Sequence, residues 1–366
     1  MCKNDFILMV VYNAIQYDSR VIRAAEAIKN IGENVCVISC NSDESYLNKN
    51  FKSISFNSKL KGALLLFSFW CFVVNYSVKN RHNIKLIYLH DYYLSGIGYL
   101  ISKLIGVKWV YDAHELLIER KRTKYNCRKT FFLLLEKFSI RHADLVVAAN
   151  EERERIIKYV YKLKNTIFVL NISPNTILIN NDHVSEKEDF IVYQGYLSKD
   201  RDFGDYISLL KNLPLNIKLK IIGGGPDLEY FKNLVVKLNL NERVIFAGMI
   251  PYSQLINENK NCKVGIVSYS LDGLNNYYCS PNKIFEYAQL KLPMIFSPQP
   301  FLQKISSEYR IGVVLTKNMS SKEKANLIID LFNNLSFYQE NMRKFLSDYS
   351  HENEMNKLKL SVQKLL

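Results

Sequence analysis

The stretch IIGGGPDLEYFKNLVVKLNLNERVIFAG, residues 221–248, decides the fold. It begins with a β-branched strand pattern, turns on Gly223, Gly224 and Gly225, and continues as a helical pattern before a second strand pattern. Pro226 follows the glycines, at a position where the first turn of a helix tolerates proline. A strand, a tight turn, a helix and a second strand are typical of a parallel βαβ unit.

The same alternation runs along the whole chain and divides it in two. The segment 172–188 is polar, rich in turn residues and free of helical period. Strand patterns lie before it at 6–12, 34–39, 85–90, 108–112, 144–149 and 166–171, and after it at 190–195, 218–225, 243–248, 263–270, 293–297 and 311–315. We predict the α/β fold class, with doubly wound parallel-sheet domains at 1–175 and 176–350 that face a central cleft. Residues 351–366 are predicted as a C-terminal helix, for which a return to the first domain is one option.

Positive charge is concentrated in the first half of the chain. The formal net charge is +14, and residues 1–175 contain 26 Lys and Arg against 15 Asp and Glu. This asymmetry favours a polyanionic partner: an anionic membrane surface, a phosphorylated substrate or nucleic acid. Lysine used only for solubility is the alternative. No nucleic-acid-binding motif accompanies the charge, so we do not expect nucleic acid as a partner.

Cysteine usage and the N-terminal residues predict a cytoplasmic protein. The seven cysteines show no paired or metal-ligand spacing, as expected of reduced thiols. The N-terminus lacks the features of a signal peptide and is predicted as a buried strand. The most apolar run, residues 62–74, is short for a membrane span. It predicts either a buried helix or a helix at a membrane interface, which would place the protein on the inner face of the plasma membrane.

The stretch CSPNKIFEYAQLKLP, residues 279–293, combines a helix start with an isolated carboxylate. Ser280 is a predicted N-cap, and free backbone amides at such a helix start suit a diphosphate. Glu286 is set among apolar neighbours, and its carboxylate can accept two hydrogen bonds from the vicinal hydroxyls of a ribose. A solvated helix glutamate is the alternative. The candidate donor-binding residues of this stretch are Tyr278, Ser280, Pro281, Asn282, Lys283 and Glu286.

A second loop offers cations to the same phosphate. The segment GYLSKDRDFGD, residues 195–205, follows a strand and contains Gly195, Lys199 and Arg201. The three glycines at 223–225 would let a ligand approach the backbone closely, or they form only a tight turn. They do not match G-x-G-x-x-G, which argues against a dinucleotide site. The D-x-D pattern in this loop is expected by chance, and we predict no metal site.

Two further stretches lie in the first half. YDAHE, residues 111–115, ends a strand with Asp112, His114 and Glu115, where a histidine beside carboxylates can act as acid, base or sugar ligand. A structural histidine is the alternative. Residues 119–138 place a basic loop before an apolar helix, a pattern typical of a membrane-surface segment. A core helix behind a solvated loop is the alternative there.

These pieces, in this order, resemble glycosyltransferase family 4, the retaining enzymes of the GT-B fold, also called glycosyl transferases group 1. The resemblance rests on YDSRVIRAAEAIKNIGENVCVIS (17–39), VYDAHELLIER (110–120), YQGYLSKDRDF (193–203), the extended glycine-turn stretch (221–255) and SPNKIFEYAQLKLPMIFS (280–297). It implies two Rossmann-like domains and a nucleotide-diphosphate sugar as donor. It also implies that neither a metal nor a cofactor is required.

The resemblance assigns roles to individual residues. Glu286 matches the second glutamate of an E-x7-E pair, which holds the nucleotide ribose in the family. The first glutamate, which contacts the donor sugar, is replaced here by Tyr278. Arg201 matches the basic residue that meets the diphosphate, and Lys283 is expected to assist it. His114 matches the histidine that the first domain presents to the sugar. The acceptor-side candidates are Asp18, Asp112, His114 and Glu115.

The function predicted from this combination is transfer of a sugar from a nucleotide-diphosphate sugar with retention of configuration. The catalytic candidates are His114, Arg201 and Lys283. The basic first half favours a lipid-linked or envelope glycan acceptor, as in O-antigen, capsule or lipopolysaccharide assembly. Two alternatives stay open: another GT-B enzyme, such as a nucleotide-sugar epimerase, and a non-catalytic module that binds nucleotide sugars or membranes.

Overall fold

The computed structural model describes residues 5–43, 50–119, 127–174, 188–250 and 252–366. The described strands are β1 (Phe6–Val11), β2 (Asn34–Cys40), β3 (Lys52–Phe56), β4 (Ile84–His90), β5 (Lys108–Ala113), β6 (Leu145–Ala148), β7 (Thr166–Phe168), β8 (Phe190–Gln194), β9 (Lys218–Ile222), β10 (Val244–Gly248), β11 (Val264–Val267), β12 (Met294–Phe296) and β13 (Gly312–Val314). The described helices are α1 (Ser19–Lys29), α2 (Gly62–Lys79), α3 (Ser95–Ile105), α4 (Cys127–Ser139), α5 (Glu151–Tyr161), α6 (Gly204–Leu209), α7 (Leu228–Lys237), α8 (Tyr252–Lys260), α9 (Leu274–Tyr277), α10 (Lys283–Gln289), α11 (Pro300–Tyr309), α12 (Ser321–Asn333), α13 (Leu335–Asp348) and α14 (His351–Gln363).

The chain forms two compact units. The first comprises Met1–Asn171 with Glu352–Leu366, and the second comprises Ile172–His351. Among the described residues, the first unit holds a seven-stranded sheet in the order β3-β2-β1-β4-β5-β6-β7, and the second a six-stranded sheet in the order β10-β9-β8-β11-β12-β13. All pairings in both sheets are parallel. In each sheet the chain begins at a central strand and winds outward in both directions, so the predicted α/β doubly wound architecture is confirmed.

The first unit is built on strands that are buried on both faces. Strands β1 and β4 are almost wholly buried because helices cover the sheet on each side. Helix α1 begins after Asp18, whose side chain accepts a hydrogen bond from the Val21 amide at 3.3 Å. The C-terminal helix α14 packs Met355, Leu358 and Val362 into the same core as α1. Its Glu354 carboxylate accepts the Leu170 amide at 2.7 Å, which ties the helix to the chain just after β7.

The second unit contains the stretch 221–248, and the structure forms the βαβ unit that the sequence predicts. Phe231 and Val235 of α7 pack against strand residues such as Ile221 in the core. The helix begins at Leu228, two residues later than Pro226, because Gly225, Pro226 and Asp227 complete the turn first. Strand β3, which no strand pattern predicts, pairs with β2 at the edge of the other sheet. Its residues are mostly half-buried, so its sequence KSISF lacks the apolar run of the other strands.

Candidate functional site

The glycine turn packs against the loop that follows β8. The Gly195 amide donates to the Ile222 carbonyl at 2.8 Å, and the Leu197 amide donates to Gly224 at 2.9 Å. A Cβ atom on Gly223 would lie 1.9 Å from the Gly195 carbonyl oxygen, and one on Gly225 would lie 2.1 Å from the Leu197 oxygen. Gly223 and Gly225 are therefore required by the contact of two backbone segments. Their absence of side chains has a structural reason, which the sequence pattern left open.

Two cations converge at the carboxyl end of β8. The Lys283 ammonium donates to the Gln194 carbonyl at 2.8 Å and lies 4.7 Å from the centroid of the Tyr193 ring. The Arg201 guanidinium lies 4.7 Å from the centroid of the Tyr269 ring. Both cations thus lie near aromatic rings, and Lys283 also donates to a carbonyl.

Burial makes the Lys283 charge expensive. Burial is the largest cause that lowers the pKa of Lys283 to about 7, and the nearby positive charge of Arg201 is the next. The Glu286 carboxylate raises this pKa but does not offset the two. Neither Lys283 nor Arg201 forms a salt bridge within the part of the chain that the structure describes. Two neighbouring cations without a paired carboxylate favour the binding of an anion there. A Cβ atom on Gly195 would lie 3.3 Å from the Lys283 nitrogen, so a side chain at 195 would crowd it.

Glu286 belongs to a buried chain of polar side chains. The residue is 9% exposed, and its carboxylate accepts a hydrogen bond from the Gln194 side-chain amide at 2.6 Å. The Gln194 oxygen in turn accepts from the Asn259 side-chain amide at 2.5 Å. These amides hold the carboxylate in one orientation without neutralising it. The sequence pattern did not indicate Gln194 or Asn259, since both are distant in sequence from Glu286.

The start of helix α10 differs from the prediction. The helix spans Lys283–Gln289, and Asn282, not Ser280, occupies the N-cap position. Asn282 already has helical dihedral angles, and the Ile284 amide donates to the Pro281 carbonyl at 3.1 Å. The proline turn therefore comes before the helix, and Glu286 lies in the first turn of α10. Proline fixes its own φ in the helical range, which explains why the turn forms there.

The remaining donor-side candidates lie on two flanks. The Lys199 ammonium lies 4.0 Å from the centroid of the Tyr230 ring and 3.8 Å from the Asp227 carboxylate, beside the glycine turn. Tyr278 follows the short helix α9, and its ring contacts that of Tyr277 with centroids 4.8 Å apart. Lys283 thus lies beside Gly195 and close enough to Arg201 for their charges to interact, and Gln194 connects it to Glu286.

The first unit has a separate cluster around Asp112. This carboxylate is 1% exposed and accepts two hydrogen bonds from the Arg20 guanidinium, at 3.0 and 2.8 Å. Its other oxygen accepts the Tyr88 hydroxyl at 2.9 Å. Burial opposes ionisation, but the Arg20 guanidinium outweighs it and lowers the pKa of Asp112. Asp112 is therefore a buried counter-ion of Arg20, and both of its carboxylate oxygens already accept hydrogen bonds from protein side chains.

His114 extends this cluster toward the surface. Its Nε2 atom lies 3.1 Å from Nδ1 of His90, and its Nδ1 atom lies 3.8 Å from the Asp18 carboxylate. Burial lowers the pKa of His90 to about 3, so this imidazole is neutral. Nε2 of His90 is buried without a hydrogen-bond partner among the described residues. His114 is partly exposed, and Glu115 beside it is exposed.

Sequence reasoning missed Arg20, Tyr88 and His90. His90 ends strand β4, and its place at a strand end is the available signal, but the pattern KLIYLH by itself predicts only a strand. The donor atoms of His90, Asp112 and His114 lie within 4.8 Å of one another, a spacing that a metal ion can bridge. Asp112 already binds the Arg20 guanidinium, however, and a divalent cation would stand against that positive charge.

Parts of the chain are similar in sequence to known proteins. Residues 175–352 match the family model of glycosyl transferases group 1. An uncharacterised glycosyltransferase, YqgM of Bacillus subtilis (strain 168), is 19% identical over 205 residues, which are 55% of this chain and 56% of YqgM. The alignment therefore spans about half the length of that curated relative.

Solved structures are similar over nearly the whole chain. Sucrose-phosphate synthase from Thermosynechococcus elongatus has a TM-score of 0.77 at 15% identity, with 99% of each chain covered. HepE from Anabaena, in complex with UDP-glucose, has a TM-score of 0.74 at 15% identity, with 98% of this chain and 99% of HepE covered. The chain has the GT-B fold, as the resemblance predicted.

Proposed function

We propose that this protein is a retaining glycosyltransferase that uses a nucleotide-diphosphate sugar as donor. The observation that carries the proposal is the pair of basic side chains, Lys283 and Arg201, which lie near the oriented Glu286 carboxylate and form no salt bridge with any described carboxylate. A diphosphate supplies the missing negative charge, and a ribose supplies the hydroxyl donors that a carboxylate accepts. Because HepE is described in complex with UDP-glucose, a UDP-sugar is the first donor to test.

In the proposed reaction, the bond from the anomeric carbon to the diphosphate oxygen breaks, and a bond to an acceptor oxygen forms on the same face. Negative charge develops on the leaving diphosphate, where Lys283 and Arg201 stabilise it. The leaving phosphate takes the proton of the acceptor hydroxyl. His114, whose imidazole contacts His90 and lies 3.8 Å from the Asp18 carboxylate, is the catalytic candidate of the first unit. We propose no metal or further cofactor for this chemistry.

We propose an acceptor in the cell envelope, a lipid-linked or polysaccharide glycan, and a cytoplasmic protein at the inner face of the plasma membrane. The basic first half of the sequence supports a membrane-associated acceptor, since a basic surface attracts an anionic partner such as an acidic lipid surface. The basic loop of the prediction, residues 120–126, lies outside the described residues. O-antigen, capsule and lipopolysaccharide intermediates are the acceptors to compare.

The test is a turnover assay with labelled nucleotide sugars, with and without extracted lipid-linked acceptors. We expect sugar transfer only with acceptor present, and NMR of the product should show the donor's anomeric configuration. A free epimer formed without acceptor would identify the epimerase alternative. Thermal stabilisation by a nucleotide sugar without turnover of any acceptor would favour the binding module. The same assay on Lys283→Met should show a loss of transfer. Lys304→Met, which replaces an exposed lysine of α11, is its matched control.

A further inference from the structure

One layer of the first unit has an unusual outer surface. Helices α2, α3 and α4 contact one another side by side, and their inner faces are buried, with Leu66 and Phe132 in a shared cluster. Their outer faces carry large exposed apolar side chains, from 46% exposed at Leu100 to 68% at Leu64. We call this set the three-helix face: Leu64, Phe67, Leu100, Leu104, Phe131, Leu134 and Phe138. Large exposed apolar side chains on three neighbouring helices are the kind of surface that marks an interaction site.

The spacing shows that the face is an ordered stripe. Leu64 and Phe67 are three residues apart on α2, and Phe131, Leu134 and Phe138 recur at three and four residues on α4. On the opposite side of α2, Phe69 and Val73 are wholly buried. The two helices are therefore apolar on their outer faces as well as on the faces that pack inward, as expected when the outer face meets an apolar medium.

Charge on the three helices has a single sign toward solvent. Their one acidic residue, Glu136, is 2% exposed, and its carboxylate accepts hydrogen bonds from the Tyr111 and Tyr161 hydroxyls. The basic residues of the helices are Lys79, Lys103, Arg128, Lys129 and Lys137. Lys103 lies beside the face, 5.8 Å from the centroid of the Tyr99 ring, which in turn contacts Phe138. The face is thus an apolar surface with basic side chains and no exposed carboxylate on its own helices.

This charge pattern selects among occupants. A second copy of the chain would bring like charges together, which opposes self-association. An anionic lipid surface attracts the lysines and arginines while the exposed leucines and phenylalanines enter the boundary of headgroups and acyl chains. We infer that the three-helix face docks onto an anionic bilayer surface. The inference deepens the proposed function, and its connection to a lipid-linked acceptor rests on that proposal.

The geometry favours a surface position over a membrane-spanning one. Of the described helices, Gly62–Lys79 is long and apolar enough to cross a membrane by length and composition. Leu66, Phe69 and Val73 are buried in the first unit, however, so a spanning position would strip them from the core. Docking needs no such rearrangement, because the exposed side chains already face outward.

The test is sedimentation of the full chain with vesicles of phosphatidylcholine, with or without phosphatidylglycerol, at low and high salt. The wild type should bind only the anionic vesicles and be released by salt. Leu64→Ser/Phe67→Ser/Leu134→Ser should lower the partition coefficient at least about tenfold, since three apolar contacts are lost. Lys103→Glu/Lys137→Glu should remove most of the salt-sensitive part. Leu215→Ser/Val236→Ser, at exposed apolar positions of the second unit, is the matched control and should bind like the wild type.

Equal binding of the triple variant and the wild type would overturn the inference, as would binding that ignores anionic lipid. Light scattering would also overturn the inference if it showed that the wild type is a dimer and the triple variant a monomer. Thermal stabilisation by nucleotide sugars is measured on the same preparations and should be the same in all variants. Loss of that stabilisation in every protein would contradict the proposed function and leave the vesicle result standing.

Discussion

The two units bury positive charge in opposite ways. In the first unit, the Arg20 guanidinium forms a 2.8 Å salt bridge with the Asp112 carboxylate, and both side chains are buried. In the second unit, Lys283 and Arg201 rest on tyrosine rings and a backbone carbonyl, and no described carboxylate forms a salt bridge with either. Buried charges in proteins are normally paired, so two cations without a salt bridge among the described residues are what the proposed anionic ligand requires. The comparison contrasts an enclosed ion pair with the proposed binding site.

The largest effect is expected from breaking the enclosed pair. Asp112→Asn keeps the shape but leaves the Arg20 charge buried and unpaired, so we expect a loss of about 3–5 kcal/mol in the free energy of unfolding. Chemical denaturation measures it. Glu33→Gln, in the partly exposed pair with Lys85, is the control and should cost at most about 1 kcal/mol. Similar losses in the two variants would show that the Asp112 pair is no more than an ordinary surface interaction.

The unpaired cations should behave in the opposite sense. Lys283→Met removes the positive charge that would stabilise the negative charge developing on the leaving diphosphate. We therefore expect kcat to fall about 100- to 1,000-fold. Arg201→Ala should lower kcat together with kcat/KM. Stability should not fall in Lys283→Met, because the variant no longer buries an unpaired ammonium.

The pH dependence of stability gives the sign of this effect. The folded-state pKa of Lys283, about 7, lies below the ordinary value of 10.5. The unfolded chain therefore binds the extra proton above about pH 7, and the contribution of this group to stability rises as the pH is raised from 7 toward 9. Denaturation across that window should show a smaller rise in Lys283→Met than in the wild type. A variant that is less stable than the wild type at every pH would mean that Lys283 is mainly structural.

A smaller effect is expected at the ribose position. Glu286→Gln keeps the hydrogen bond geometry in part but loses the charge, so donor affinity should fall roughly 10- to 100-fold, or about 1.4–2.8 kcal/mol. Calorimetry with the natural nucleotide and its 2′,3′-dideoxy analogue checks the cause, since the analogue should bind both proteins nearly alike. Glu308→Gln on α11 is the exposed control. A dideoxy analogue that still separates wild type from Glu286→Gln as strongly would remove the ribose from the account.

Local patterns predicted the fold well because each buried strand is a short β-branched run. Strand β3 was missed because its half-buried residues, KSISF, carry no such run. Glu286 stood out by its apolar neighbours, whereas its partner Gln194 lies on β8 and becomes adjacent only when the sheet forms. Gly223 and Gly225 suggested ligand approach, but the space they leave is filled by the loop after β8. Ser280 matched a cap by residue type, and the proline turn moved the helix start beyond it.

The first-unit cluster shows the same limit. Asp112 and His114 were visible at a strand end, but Arg20 comes from helix α1 and His90 from another strand. Tertiary contacts decide which carboxylate is buried in an ion pair and which basic side chain has no carboxylate partner. The spacing of residues along the chain does not record these contacts. Electrostatic pairing is therefore the part of the site that required the structure.

Proton uptake on nucleotide binding tests the central claim most directly. At pH 8 the Lys283 amine, with its pKa lowered to about 7, is mostly neutral, and a bound diphosphate should restore its charge. Titration calorimetry with a nucleoside diphosphate, in buffers of different ionisation enthalpy, should report an uptake of about 0.9 proton per nucleotide. The uptake should vanish in Lys283→Met and persist in Lys304→Met. Binding without proton uptake, or the same uptake in Lys283→Met, would contradict the assignment of Lys283 and Arg201 as the diphosphate site.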